Sequence, residues 1–284
     1  MIAAAAVIQN QHLSSRHYRS IAEIVQNQTG IRLPPGKQTM VEGRLRKRLR
    51  ALGLSALDDY GDFLFERGGL ASELVHLIDC VTTNKTDFFR EPAHFEFLRD
   101  EAVPNLLRRT GAKPRLKIWS AAASTGAEAY TIAMVLQTMI DQGNNFAFSV
   151  LGTDISTEVL SQARDGIYAR DMVEPVPKPM KDRFVMQAKN AARQQVRIVP
   201  ELRRLIRFAR LNLMDQEYPV DRDVDVIFCR NVLIYFDKPT QKMVLDRLFS
   251  HLRPGGYLFV GHSESMAGGE RRGFKQVLPT VFQA

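Results

Sequence analysis

The chain has 284 residues, close to two domains at roughly 150 residues each, and its 45% hydrophobic and 25% charged composition excludes collagen-like, disulfide-scaffold and disordered classes. Lys plus Arg number 39 against 31 Asp plus Glu, a formal charge of +8. That surplus favours an acidic partner, whether nucleic acid, anionic membrane or an acidic protein surface. Met1 to Val7 is apolar but short and lacks a basic flank, so it makes a poor signal peptide. No apolar run approaches the roughly 20 residues that a membrane helix needs. Cys80 and Cys229 sit among apolar neighbours without metal-site spacing, which suits buried free thiols in a reducing cytoplasm.

Taken in chain order, the first elements read as helices. Tyr18, Ile21, Ile24 and Val25 fall at helical spacing, and Gly30 suits the position that ends such a helix. A second stripe, Val41, Leu45, Leu49 and Leu52, carries Arg44, Arg46, Lys47, Arg48 and Arg50 on its polar side. Ser55 and Asp58 have the spacing of a capping box that opens a third helix. Positions 12–80 are therefore expected to form a small all-α domain, followed by a linker and first helix at 81–112.

From Lys113 the pattern becomes α/β. Strand-like runs at Leu116 to Trp119, Phe148 to Leu151, Val224 to Cys229 and Tyr257 to Val260 alternate with helical segments that include Glu128 to Ile140 and Thr240 to Leu252. This predicts a mostly parallel sheet, covered on both faces, across 113–284. Pro175, Pro177 and Pro179 interrupt it, and the alternating segments Val196 to Val199 and Leu205 to Ala209 follow. A small antiparallel insertion is expected at about 175–210.

In such a sheet, ligands bind beyond the carboxyl ends of the strands. Ser120 to Gly126 is a run of small residues entering a helix, suited to close ligand approach or simply to a tight turn. Asp154, at the end of the second strand, can accept two hydroxyl protons of a ribose, and either it or Ser156 can cap the next helix. Asn212 and Leu213 follow Leu205 to Ala209, and Arg230 and Asn231 follow Val224 to Cys229. Arg230 reads equally as a ligand contact and as an ion-paired arginine. The order of these pieces, closed by Pro254-Gly255-Gly256, resembles that of S-adenosylmethionine-dependent methyltransferases, and no P-loop is present.

The blocks Thr82-Thr83-Asn84-Lys85-Thr86-Asp87-Phe88-Phe89-Arg90-Glu91, Trp119 to Gly126, and Phe228-Cys229-Arg230-Asn231-Val232-Leu233-Ile234-Tyr235-Phe236 resemble the signature blocks of the CheR family of chemotaxis receptor glutamate O-methyltransferases. The closing Gly261-His262-Ser263-Glu264 extends the likeness over nearly the whole chain. The resemblance implies a Rossmann-like methyltransferase domain that uses S-adenosyl-L-methionine and releases S-adenosyl-L-homocysteine. By the same resemblance Asn84, Thr86, Arg90, Glu128, Asp154, Asn212, Leu213, Arg230 and Asn231 contact the cofactor, and Arg90 and Tyr235 stand beside the transferred methyl group. Where the family commonly has two acidic residues and a proline after the turn glycine, this chain has Ala127, Glu128 and Ala129.

Its expected partners are receptor methylation helices, with Arg44, Arg46, Lys47, Arg48 and Arg50 as the docking face. Docking of a receptor's C-terminal peptide on the insertion is not expected, because Gln187 to Arg193 contains no glycine. Nucleic acid is not expected either, since no Asn/Asp-Pro-Pro-aromatic loop exists. A cytoplasmic monomer without a metal site completes the expectation. A non-catalytic module that senses the cofactor, or a methyltransferase for another substrate, remains the alternative.

Overall fold

The computed structural model describes residues 12–109, 114–188, 190, 194–264 and 273–284. The apolar start at Met1 to Val7, and Lys189, Ala191, Ala192 and Arg193 of the expected turn, lie outside these residues. The chain forms two compact units: the described residues up to Thr83 with Tyr235–Asp237, and Asn84–Ile234 with Lys238–Ala284.

The first unit is built from α1 (Ser15–Thr29), α2 (Gln38–Leu52), α3 (Leu57–Phe65) and α4 (Leu70–Val81). Each helix turns one apolar stripe inward: Ile21 and Val25, then Val41, Leu45 and Leu49, then Tyr60 and Leu64, then Leu77 and Val81. Each fully buried aliphatic side chain among them contributes about 1.5–3 kcal/mol relative to exposure. Gly30 ends α1 with φ 72°, as its position predicts. The third helix starts differently from its sequence signature. Ala56 is its N-cap, and Asp59, not Asp58, returns a carboxylate to the Ala56 N–H at 3.0 Å. Asp58 is engaged elsewhere, accepting from Ser14 N–H at 2.8 Å.

The second unit opens with α5 (Pro92–Phe97), a π-helical turn and α6 (Val103–Arg109). The main strands follow: β1 (Arg115–Ala121), β2 (Ala147–Asp154), β6 (Ile206–Arg210), β7 (Val224–Cys229) and β8 (Leu252–Val260), with β9 (Lys275–Leu278) and β10 (Val281–Gln283) at the end. Their order is β6-β2-β1-β7-β8-β10-β9. The five strands from β6 to β8 are parallel, and β10 and β9 return antiparallel. Helices α7 (Ala127–Asp141), α8 (Thr157–Asp165) and α11 (Lys238–His251) lie between strands in the chain. Alternate residues of β1 serve opposite faces: Ile118 packs with Ile132 and Leu136 of α7, and Trp119 meets His251 of α11 at 5.6 Å between ring centroids.

A separate small sheet, β3-β5-β4, joins Ile167–Ala169, Gln195–Ile198 and Val185–Gln187 in antiparallel pairs. It is accompanied by α9 (Lys178–Phe184) and α10 (Pro200–Arg204). Val196 belongs there, as expected. Leu205 to Ala209 does not: the strand it forms, β6, pairs in parallel with β2, setting Phe208 opposite Gly152 at the edge of the main sheet. No helix of the described residues is long and apolar enough to cross a membrane.

One polar contact sits inside the helical unit. Glu73 of α4 is 3% exposed, and Arg48 of α2 donates to both of its oxygens, from Nε at 2.8 Å and from Nη2 at 2.5 Å. The hydrogen bond from Arg48 holds the Glu73 carboxyl below its ordinary value of 4.5, against the opposing effect of burial. A group lowered in this way stabilises the fold above its unfolded-state value, and that contribution fades as the pH falls through the folded one. Glu73→Gln should therefore cost about 2–3 kcal/mol at neutral pH, less than a fully buried pair because Arg48 keeps contact with water. Urea unfolding followed by circular dichroism checks this. The difference from the parent protein should shrink on the acid side of the carboxylate range.

Candidate functional site

Because β6, β2, β1, β7 and β8 are parallel, the segments that follow their last residues emerge along one edge of the sheet. Residues 84–91 join that edge from the amino-terminal side. Ser124 Oγ, in the turn after β1, donates to the Asn84 carbonyl at 2.7 Å, and Phe89 N–H donates to Thr131 Oγ1 of α7 at 3.2 Å. Five non-glycine residues of these segments hold left-handed backbone: Phe89, Glu91, Ala122, Ser124 and Asn231, with φ between 50° and 64°. Such residues persist only where surrounding contacts over-determine them, and they concentrate at sites of function. The turn also needs Gly126, whose φ is 87° and where a Cβ would come within 2.9 Å of the Ala163 methyl group.

At the centre of this edge lies Arg230, with a side chain only 2% exposed. Its Nη1 donates to Glu128 Oε2 at 3.1 Å, its Nη2 lies 3.0 Å from Glu91 Oε2 and also donates to the Arg90 carbonyl, and its guanidinium stands 5.4 Å from the Phe95 ring centroid. Glu128 takes a further bond from Ser120 Oγ at 2.7 Å. Burial pushes the Glu128 carboxyl up from its ordinary value, against the pull of Arg230 and Ser120. Burial opposes the charge on Glu91 as well, yet Arg230 beside it holds that carboxyl low. Burial and Arg230 together push the neighbouring His94 down to about 4, so it is neutral at pH 7. Two carboxyl groups thus flank the one guanidinium.

Asp154 closes β2 and is 7% exposed. Its Oδ2 accepts from Ser124 N–H at 2.8 Å and its Oδ1 from Ser156 N–H at 3.0 Å. A carboxylate oxygen can accept more than one hydrogen bond, which is the chemistry that a vicinal diol calls for. The helix after it is capped by Ser156 rather than by Asp154: Ser156 Oγ accepts from Val159 N–H at 3.4 Å. Asn212 makes a local turn by accepting from Met214 N–H at 3.0 Å, and Leu213 is buried with its carbonyl accepting from Tyr218. Thr86 is half-buried, and Arg90 donates from Nη1 to the Lys85 carbonyl at 3.1 Å.

Glu91 and Glu264 were not among the residues expected at the site. Glu264 accepts from the N–H groups of Gly261, Asn231, Leu233 and Ile234 at 2.6, 2.8, 2.7 and 3.3 Å. It thereby fixes the left-handed Asn231, whose Nδ2 donates to Glu91 Oε1 at 3.2 Å. Burial raises the Glu264 carboxyl, and those amide donors offset part of the effect. The only sequence signal for either residue is its place inside a quoted block.

In the helical unit, the basic side of α2 divides in two. Arg48 is tied to Glu73, and Arg44 donates to the carbonyls of Val81 and Thr82 at 2.7 and 2.9 Å. Arg46, Lys47 and Arg50 are exposed. Tyr235 groups with this unit, its carbonyl accepting from Arg32 N–H at 3.3 Å.

The donor set of the sheet edge fits a cationic nucleoside. Asp154 offers a carboxylate for ribose hydroxyls, and the buried Glu91–Arg230–Glu128 cluster offers carboxyl groups for a sulfonium or ammonium group. Breaking a buried pair on one side strands the other charge. Arg230→Met should cost about 3–5 kcal/mol on that basis, and adding Glu128→Gln should restore part of it. A double-mutant cycle by chemical denaturation measures both, and additive losses would show that the two residues act independently.

The description "CheR methyltransferase, SAM binding domain" matches residues 84–282, and "CheR methyltransferase, all-alpha domain" matches residues 16–82. The chain is 41% identical over 262 residues to the chemotaxis protein methyltransferase of Escherichia coli, covering 92% of this chain and 88% of that protein. The chemotaxis protein methyltransferase 2 of Pseudomonas aeruginosa is 39% identical over 259 residues, covering 90% and 89%. That of Borreliella burgdorferi is 35% identical over 277 residues, covering 96% of each. The solved structure of PKMT2 from Rickettsia typhi in complex with AdoHcy is similar at a TM-score of 0.32 and 16% identity, covering 51% of this chain and 20% of that one. By its two matching domains and by these relatives, the chain belongs to the CheR methyltransferase family, with an all-α domain followed by an S-adenosylmethionine-binding domain.

Proposed function

We propose that this protein transfers the methyl group of S-adenosyl-L-methionine to glutamate side chains of chemotaxis receptors, forming methyl esters. The observation that carries the reading is the buried Glu91–Arg230–Glu128 cluster beside Asp154, on a chain whose relatives are named chemotaxis protein methyltransferases. When bound, S-adenosylmethionine supplies an electrophilic methyl group on a positively charged sulfur. Asp154 would hold the ribose hydroxyls, and Glu128 and Arg230 would meet the charged end. Asn84, Thr86, Asn212, Leu213 and Asn231 would complete the wall around it.

The acceptor glutamate is ionised near pH 7, so no general base is needed. Opposite charges cancel as the methyl group moves, and a site poor in water favours that step. What remains for the protein is orientation. Arg90, anchored to the Lys85 carbonyl, would steer the carboxylate through a partial contact, because full bidentate pairing would quench its nucleophilicity. Tyr235 would donate one hydrogen bond and leave the other carboxylate oxygen free to attack. Arg46, Lys47 and Arg50 on α2 would attract the acidic face of a receptor helix, with Arg44 and Arg48 bracing that helix from within.

Incubation with methyl-labelled S-adenosylmethionine and receptor-containing membranes tests the reading. Label should appear on the receptor and be released by mild base, as a carboxyl methyl ester is. Base-stable label, or none, contradicts it. In the same assay Tyr235→Phe should lower turnover about tenfold, the worth of one hydrogen bond, while S-adenosylhomocysteine affinity by calorimetry changes little.

A further inference from the structure

The helical unit holds a second cluster of titratable groups that the chemistry above does not use. His17 of α1 is 6% exposed and fills a slot on α3. Gly61 opens that slot, since a Cβ there would come within 2.4 Å of the His17 ring, and Phe65 stacks beside it at 6.2 Å between centroids. His17 Nδ1 lies 2.8 Å from Asp58 Oδ1, which also accepts from Ser14 N–H at 2.8 Å. Burial works against the charge on Asp58, but the Ser14 and His17 donors hold its carboxyl below the ordinary value. A carboxylate only accepts, so Nδ1 carries the proton, and in the neutral ring Nε2 is left with a lone pair.

That Nε2 is buried and makes no hydrogen bond. It points toward Asp62, with Oδ1 at 3.3 Å, and Glu66 completes a group whose three ligand atoms all lie within 4.8 Å of one another. Asp62 and Glu66 are one helical turn apart and so share a side of the helix. A lone pair facing carboxylate oxygens is repulsive unless a proton or a metal cation stands between them.

We propose that His17, Asp62 and Glu66 form a binding site for a divalent transition-metal ion of the zinc class, with Asp58 orienting the histidine. Imidazole nitrogen and carboxylate oxygen bind zinc at about 2.0–2.2 Å, and tetrahedral angles then separate two such ligand atoms by about 3.4 Å. The distance from Nε2 to Asp62 Oδ1, 3.3 Å, already matches. A metal-bound histidine characteristically donates its other N–H to a carboxylate, the place Asp58 occupies here. Around the site three carboxylates face one arginine, Arg16, which pairs with Glu66 Oε1 at 3.1 Å and is 75% exposed, so it can give way to water. Three protein ligands leave a fourth position for solvent. Linking α1 to the end of α3, the ion would stabilise the helical unit by mass action rather than take part in methyl transfer.

Full-length protein, stripped with a chelator and desalted, is titrated with zinc chloride by calorimetry and with cobalt(II) by visible spectroscopy. The proposal expects one equivalent of zinc and the intense visible absorption of four-coordinate cobalt. Asp62→Asn with Glu66→Gln, both on the solvent side, should fold, methylate normally, and bind zinc roughly tenfold or more weakly. His262→Gln should leave that equivalent in place, which separates this site from the histidines near Glu91. An unchanged zinc affinity in the Asp62→Asn/Glu66→Gln protein, or no equivalent in the parent, overturns the proposal. His17 would then serve only as a packed side chain hydrogen-bonded to Asp58.

Discussion

A guanidinium withdrawn from water must be paired, and the pairing of Arg230 decides where the segments around the sheet edge come to rest. One group follows β7, one opens α7, and one precedes α5, yet a single side chain joins Glu128, Glu91 and the Arg90 carbonyl. Of these segments only the one that carries Glu128 lies in a helix. Their left-handed residues, Phe89, Glu91, Ala122, Ser124 and Asn231, each carry a conformational cost of order 1–3 kcal/mol, less for Asn231, that such tertiary contacts must offset. Glu264 extends the arrangement from β8 by gathering four amide N–H groups.

The same physics produces the function. A cationic ligand is drawn to carboxylates beside it, and burial magnifies that attraction. Ala127 and Ala129 flank Glu128, and Glu128 and Glu91 are the two carboxyl groups on Arg230. The helical unit uses pairing for a different end. Arg48 on Glu73, and Arg44 on the carbonyls that end α4, stiffen α2 and leave Arg46, Lys47 and Arg50 as its solvent-facing charge.

Much of this was legible from residue patterns, and the exceptions have common causes. The stripes of α1 and α2 and the apolar runs of β1, β2, β7 and β8 announce themselves because periodicity follows from burying one side. Leu205 to Ala209 misleads because a short alternating segment looks the same at the edge of a parallel sheet and in an antiparallel insertion. Arg44 and Arg48 look like surface charge, since a long side chain can reach a buried carboxylate or a carbonyl from a partly exposed position. Asp58 and Asp59 both stand near the start of α3, and only the position of His17 decides which of them caps it. Glu91 and Glu264 act on groups up to 171 positions away, a relation that local sequence does not encode.

The proposed hold on the cofactor's charged end rests on the Glu91–Arg230–Glu128 cluster. Calorimetric binding of S-adenosylmethionine to the parent protein and to Glu128→Gln tests it most directly, because the substitution keeps the shape and one acceptor but removes the carboxyl group. The account predicts a loss of about 10–100-fold in affinity, the worth of one charge-assisted contact, with little change in unfolding free energy. Equal affinity in the two proteins would contradict it.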